Sequence, residues 1–217
     1  MAQVFSRRFV LLIRLVLIGA LLVLITIALV YRLLARADAA ENAPIAQPIA
    51  FSHQHHVRDD GIDCRYCHVS VETSAFAGIP PLSTCMTCHS QLFSDAPILA
   101  PLRRAYAGEA PLEWNRVHDL PDFVYFDHSI HVAKGVGCTT CHGPIDRMPL
   151  TRRVASLYMQ WCLECHREPE RYLRPRDRVF DVDWQPPADQ LARGAALRKQ
   201  YGLRSTRELT DCSTCHR

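Results

Sequence analysis

Short α-helices joined by irregular loops, wrapped around something other than a side-chain core and preceded by one apolar helix: this is the fold class the sequence predicts. Three observations predict it. The chain of 217 residues carries ten cysteines, and all ten fall in five copies of Cys-x-x-Cys-His. Strand patterns are weak, and proline is frequent at 14 residues. From Phe9 to Tyr31 the chain is apolar except for Arg14 and Thr26.

The motifs begin the argument. They are Cys64-Arg-Tyr-Cys67-His68, Cys85-Met-Thr-Cys88-His89, Cys138-Thr-Thr-Cys141-His142, Cys162-Leu-Glu-Cys165-His166 and Cys212-Ser-Thr-Cys215-His216. This spacing is the attachment pattern of c-type haem. Two thiols add to the haem vinyl groups, and the adjacent His binds iron from one face. Ten thiols in five motifs predict five covalently bound haems c with none left over. A disulfide scaffold needs no His after every second Cys. Structural zinc pairs two Cys-x-x-Cys knuckles, and five would leave one alone. A thioredoxin-like site would be a single motif within a βαβ pattern. The predicted fold is therefore a multihaem cytochrome c.

The second axial ligands come next. Eleven His less the five motif His leaves His53, His55, His56, His118, His128 and His131. Phe51-Ser-His53-Gln-His55-His56 and Phe126-Asp-His128-Ser-Ile-His131 share the pattern Phe-x-His-x-x-His. Each is followed by two haem motifs, 21 residues apart in the first copy and 24 in the second. This is an internal duplication. Residues i and i+3 share one side of a helical turn, so each pair can serve two neighbouring haems. His53, His56, His128 and His131 are thus expected iron ligands, with His55 the surplus. The fifth motif lies outside the duplication. His118 is its expected partner, with Met148 and Met159 as rivals, since a thioether in place of the second His would raise the potential.

The N-terminal run reads as a membrane anchor. A helix over 9–31 would rise about 34 Å against a hydrocarbon core of about 30 Å. Arg7, Arg8 and Arg14 lead it, which places residues 1–8 in the cytoplasm. Ala35-Arg-Ala37 would suit signal cleavage, but a signal h-region is only about 7–15 residues long. An uncleaved single-pass anchor is the expectation, in the cell inner membrane. Residues 32–50, with Pro44 and Pro48, read as a linker. Residues 51–217 read as an extracytoplasmic, periplasmic haem domain, the side on which haem c is attached. About one haem per 33 residues leaves little chain for a conventional core. Ala188 to Tyr201 reads as a helix with Leu191, Ala195 and Leu197 on its apolar face. Ile79 to Pro81 and Asp183 to Pro187 read as turns or extended segments.

The formal charge is +3. The first 50 residues hold five Arg against Asp38 and Glu41, so the remainder balances at 20 basic and 20 acidic. Haem propionates would make the loaded domain acidic, and nothing suggests nucleic-acid binding. Arg152-Arg153 and Arg171, Arg174, Arg176 and Arg178 suit either propionate pairing or a solvated face. Haems closed by two side chains move electrons and bind no substrate. The expectation is electron transfer, with no catalytic residue in this chain.

The sequence resembles the pentahaem cytochrome c subunits of bacterial alternative complex III. The resemblance runs through the anchor, Phe51 to Val57, Gly61 to His68, Ala77 to His89, Val117 to Val132 and Gly135 to Gly143. It implies an electron-transfer subunit of a quinol-oxidising respiratory or photosynthetic membrane complex. The implied partners are an iron–sulfur subunit, polytopic quinol-binding membrane subunits and a monohaem cytochrome subunit. Electrons would leave to a periplasmic acceptor or a terminal oxidase. The resemblance also allows one His/Met haem. The alternative is a self-contained, membrane-anchored multihaem quinol dehydrogenase. Such tetrahaem proteins carry Cys-x-x-Cys-His-x-Met after the anchor, whereas Val69-Ser70 follows His68 here. A haem-based sensor or storage module is disfavoured, because no signalling domain follows His216.

Overall fold

The computed structural model describes residues 6–41 and 43–216. It separates into Met1–Ala43 and Pro44–Arg217. Helix α1, Arg7–Glu41, fills the first unit. Leu, Ile, Val and Ala repeat without a proline, so nothing interrupts the ladder before Pro44. Its stretch Arg7–Arg36 is long and apolar enough to cross a membrane. Residues 1–5 of the expected cytoplasmic segment lie outside the described residues.

The stretch expected as a uniform linker divides between the units. Residues 32–41 continue α1, because Leu33, Leu34, Ala35 and Ala37 are strong helix formers. Residues 44–50 belong to the second unit. Gln47 there donates to the Asn115 carbonyl at 2.8 Å and accepts from its N–H at 2.9 Å. Ile49 is buried nearby in the chain.

The second unit is a series of short helices. A π-helical turn spans Gln54–Asp59. Then come α2 (Cys64–Cys67), α3 (Leu82–His89), α4 (Ala100–Tyr106), α5 (His128–Ala133) and α6 (Cys138–His142). They are followed by α7 (Met159–Arg167), α8 (Gln190–Gln200), α9 (Thr206–Leu209) and α10 (Cys212–Cys215). Side-chain caps let such short pieces form. Asp63 accepts from the Arg65 N–H, Asp127 from that of Ile130 and Asp211 from that of Ser213. Ser205 and Glu208 close a capping box on α9. The described residues form no strand. Isolated antiparallel bridges join Val124 to His216 and Val136 to Leu173.

Side-chain core is scarce, as the haem density predicts. Among the described residues the buried apolar side chains are Ile49, Val71, Leu102, Met148, Ala155, Leu173, Val179 and Tyr201. Polar ties supplement them. Asp146, 1% exposed, pairs with Arg58, which also holds Asp183. Helix α8 packs on the turn Pro169–Arg171, but not by the face expected. Leu191 is 56% exposed, and Gly194 makes the approach instead. A Cβ there would stand 2.0 Å from the Glu170 carbonyl oxygen. Backbone proximity, and not an apolar stripe, sets the rotation of this helix. Gln190 then donates to the carbonyls of Glu170 and Leu173 at 2.8 and 2.7 Å.

Candidate haem sites and their histidine pairs

Each Cys-x-x-Cys occupies one helical turn, in α2, α3, α6, α7 and α10, which turns both thiols to one side. None of the ten cysteines is in a disulfide. The motifs also adjoin one another. Cys64 of the first motif adjoins Cys138 of the third. Burial and then neighbouring Cys85 raise Cys67, and burial and then Cys162 raise Cys141 to about 11. Burial and then Cys215 raise Cys162. The motifs therefore adjoin in the order second, first, third, fourth, fifth.

Four pairs of imidazoles stand at one spacing. His53 faces His68 with ring centroids 6.5 Å apart and planes 11° apart. His128 faces His142 at 6.4 Å and 8°. His56 and His89 are separated by 6.2 Å, and so are His131 and His166. An imidazole nitrogen binds a metal at about 2 Å and lies about 1 Å from its ring centroid, so rings sharing one ion stand about 6 Å apart. The spacing fits a single iron between each pair. The pairing obeys a rule: the first His of each Phe-x-His-x-x-His segment meets the first motif that follows, and the second His the second.

The rings are held for that use. Nδ1 of His68 donates to the Gly78 carbonyl, that of His89 to Leu92, that of His128 to Ala75 and that of His166 to Leu209, at 2.7 to 3.1 Å. His56 and His131 donate back to the carbonyls of Ser52 and Asp127, and His53 pairs with the Thr151 hydroxyl. With Nδ1 so engaged, Nε2 is left as the donor atom for a metal. Burial, the largest cause, pulls His53 down to about 4 and His142 to about 3. Those two rings are held neutral, as ligation requires.

The two copies also share a feature whose role the sequence did not reveal. Phe51 stacks on His56 at 4.5 Å and meets His53 edge-on at 5.0 Å. Phe126 stacks on His131 at 4.5 Å and meets His128 edge-on at 4.8 Å. The invariant spacing of Phe to both His within the two copies was the available signal. The backbone differs: α5 carries His128 and His131, whereas His53 precedes and His56 sits within the π-helical turn.

The remaining expected ligands are placed as follows. His55 is exposed beside Asp59 and Asp60. His118 lies edge-on to His142 at 4.3 Å, too close for two rings to share an iron, and its buried Nε2 has no partner. It thus stands with the third motif and not in a ring pair with His216. The His216 ring adjoins Phe123, whose carbonyl accepts from its Nδ1 at 3.2 Å. Met148 is buried, its carbonyl bonded by Gln54 N–H. Met159 is 65% exposed at the start of α7, one turn before Cys162. The arginine cluster is engaged within the protein: Arg171 with Glu168, Arg178 with Asp181, and Arg176 with the Ala133 carbonyl.

Residues 124–217 match the family model described as cytochrome c7 and related cytochrome c. The fold is that of a multihaem cytochrome c domain. A curated relative agrees in kind: the menaquinone reductase multihaem cytochrome c subunit of Nitratidesulfovibrio vulgaris, 37% identical over 97 residues. The match covers 44% of this chain and 45% of that protein, so the chain spans about half the length of the relative it matches.

Proposed function

We propose that the chain binds five covalent haems c and is the electron-transfer subunit of a quinol-linked membrane complex of the alternative complex III kind. The observation that carries this is the set of four ring pairs at 6.2 to 6.5 Å. Haem, when bound, supplies reversible one-electron redox chemistry. The motif cysteines hold it by thioether bonds. The paired imidazoles would hold the iron of four of the five haems, which suits electron transfer and assigns this chain no catalytic residue. Phe51 and Phe126 fix the ring planes, and the Nδ1 bonds fix the tautomer. His53 with His68, His56 with His89, His128 with His142 and His131 with His166 are the proposed axial pairs. His216 serves the fifth motif. Met159 is its proposed partner, because α7 brings Cys162 beside Cys215.

Helix α1 anchors the chain in the inner membrane, with residues 51–217 on the periplasmic side. An iron–sulfur subunit, polytopic quinol-binding subunits and a monohaem cytochrome subunit complete the assembly. A single membrane helix encloses no quinol pocket, since pockets form between elements. A second reading draws support from the relative's name, menaquinone reductase: electrons would then run towards quinone. Purification of the native assembly tests both. The proposal expects quinol to reduce the haems, and that reduction to vanish when the partner subunits are removed while dithionite still works. Haem oxidation by added menaquinone, with no reduction by quinol, favours the second reading. Rapid quinol reduction of the isolated chain would favour a self-contained quinol dehydrogenase.

A further inference from the structure

Arg174 is a buried cation whose hydrogen-bond acceptors among the described residues are all neutral. It is 5% exposed. Its Nη1 donates to the carbonyls of Arg178 and Asp181 at 3.4 and 3.1 Å. Its Nη2 donates to the hydroxyls of Thr139 and Thr140 at 3.1 and 3.4 Å. Its Nε is buried and unpartnered, and the Trp184 ring lies 5.6 Å from Cζ. Every acceptor is neutral. Among the described residues no carboxylate bonds it, and the Asp181 carboxylate is taken up by Arg178 and the Asp183 N–H. Arginine stays protonated in proteins, and the Asp181 carboxylate acts on this charge through space only.

The cradle is built for this side chain. A Cβ at Gly137 would meet the guanidinium, so a larger residue just ahead of Cys138 would push the Arg174 side chain out of this seat. The Arg174 N–H bonds the Gly135 carbonyl at 2.9 Å, beside the Val136–Leu173 bridge. A buried charge with no bonded carboxylate is costly, and ordinary structural roles are met more readily by a paired or apolar residue. Its location suggests what it does. Thr139 and Thr140 are the two residues between Cys138 and Cys141, and Cys138 touches Cys64 of the first motif.

We infer that Arg174 is an electrostatic positioning residue whose buried charge, held against Thr139 and Thr140, favours the reduced state of the group attached at Cys138 and Cys141. The inference rests on the haem reading above. Reduction adds one electron at iron, and a nearby cation lowers the energy of the more negative state. A unit charge at about 10 Å in an effective dielectric constant of about 20 changes the reduced-to-oxidised ratio on the order of tenfold. For a one-electron couple that is about 59 mV.

The test uses the full holo chain in detergent, with intact mass for haem load and spectroelectrochemical titration for potentials. Arg174→Met should move one titration step to lower potential by on the order of tenfold in ratio, with the others nearly unmoved. Arg174→Lys keeps the charge and should stay near the parent. A loaded Arg174→Met with an unchanged titration overturns the inference. So does an equal shift in both variants, which would mark a packing role. If Arg174→Met does not load, Thr140→Glu decides against Thr140→Gln. The Glu variant neutralises the guanidinium and should titrate lower, and equal potentials overturn the inference. A parent chain lacking haem at Cys138 and Cys141 would instead defeat the underlying haem reading.

Discussion

Phe126 lies flat on His131, with ring centroids 4.5 Å apart and planes 27° apart, and Phe51 repeats the contact on His56 at 4.5 Å and 22°. The same phenylalanine meets the other His of its pair edge-on. One aromatic ring thereby sets the planes of two imidazoles that serve two different motifs. Phe126→Ala should lose about 1 kcal/mol from the ring contact alone. It should also broaden the low-spin signals of two sites in electron paramagnetic resonance, while Phe126→Tyr preserves them.

His128→Ala should open one site and convert it to a high-spin or water-bound form, seen in the oxidised optical spectrum. His55→Ala should leave the spectrum as it was, because that ring points to Asp59 and Asp60. A low-spin spectrum unaltered by the His128 change would remove the assignment.

The pH response follows from burial. His53 and His142 sit at about 4 and about 3, below the ordinary histidine value of about 6.5. The unfolded chain binds more protons than the folded one between those values, so stability falls as pH drops through that window. Iron ligation opposes protonation in the same direction. Low-spin spectra should persist at pH 5 and give way only below about pH 4. Conversion to high spin centred near pH 6 would contradict the burial argument.

Most of the chemistry was legible in the sequence, and most of its geometry was not. Five complete motifs left no other use for the cysteines. The repeated Phe-x-His-x-x-His segments marked His53, His56, His128 and His131 as partners, since i, i+3 spacing is a local property. Which His meets which motif depends on long-range folding. His128 reaches back to the Ala75 carbonyl, a contact no local pattern encodes. The position of His118 ahead of α5 says nothing of the ring it touches, His142. The apolar face expected on α8 failed for a similar reason: Gly194 approaches the Glu170 backbone, a packing fact invisible to hydrophobic periodicity.

Asp146 ties the turn Ile145–Arg147 to Arg58 of the π-helical turn. Its carboxylate is buried against Arg58, with Asp183 sharing the same guanidinium at the surface. Asp146→Ala should cost about 3 kcal/mol, because it leaves a part-buried cation short of a partner. Asp183→Ala should cost markedly less, since that carboxylate is solvated. Denaturant titrations of the two variants check the ordering.

The most direct measurement is the intact mass of the mature chain after denaturation. Thioether bonds survive unfolding, so every haem the motifs hold remains countable. The account predicts the mass of the chain plus five haems, with no cysteine open to alkylation. Fewer than five haems in fully matured protein, or an alkylated thiol at any of the five motifs, would contradict it.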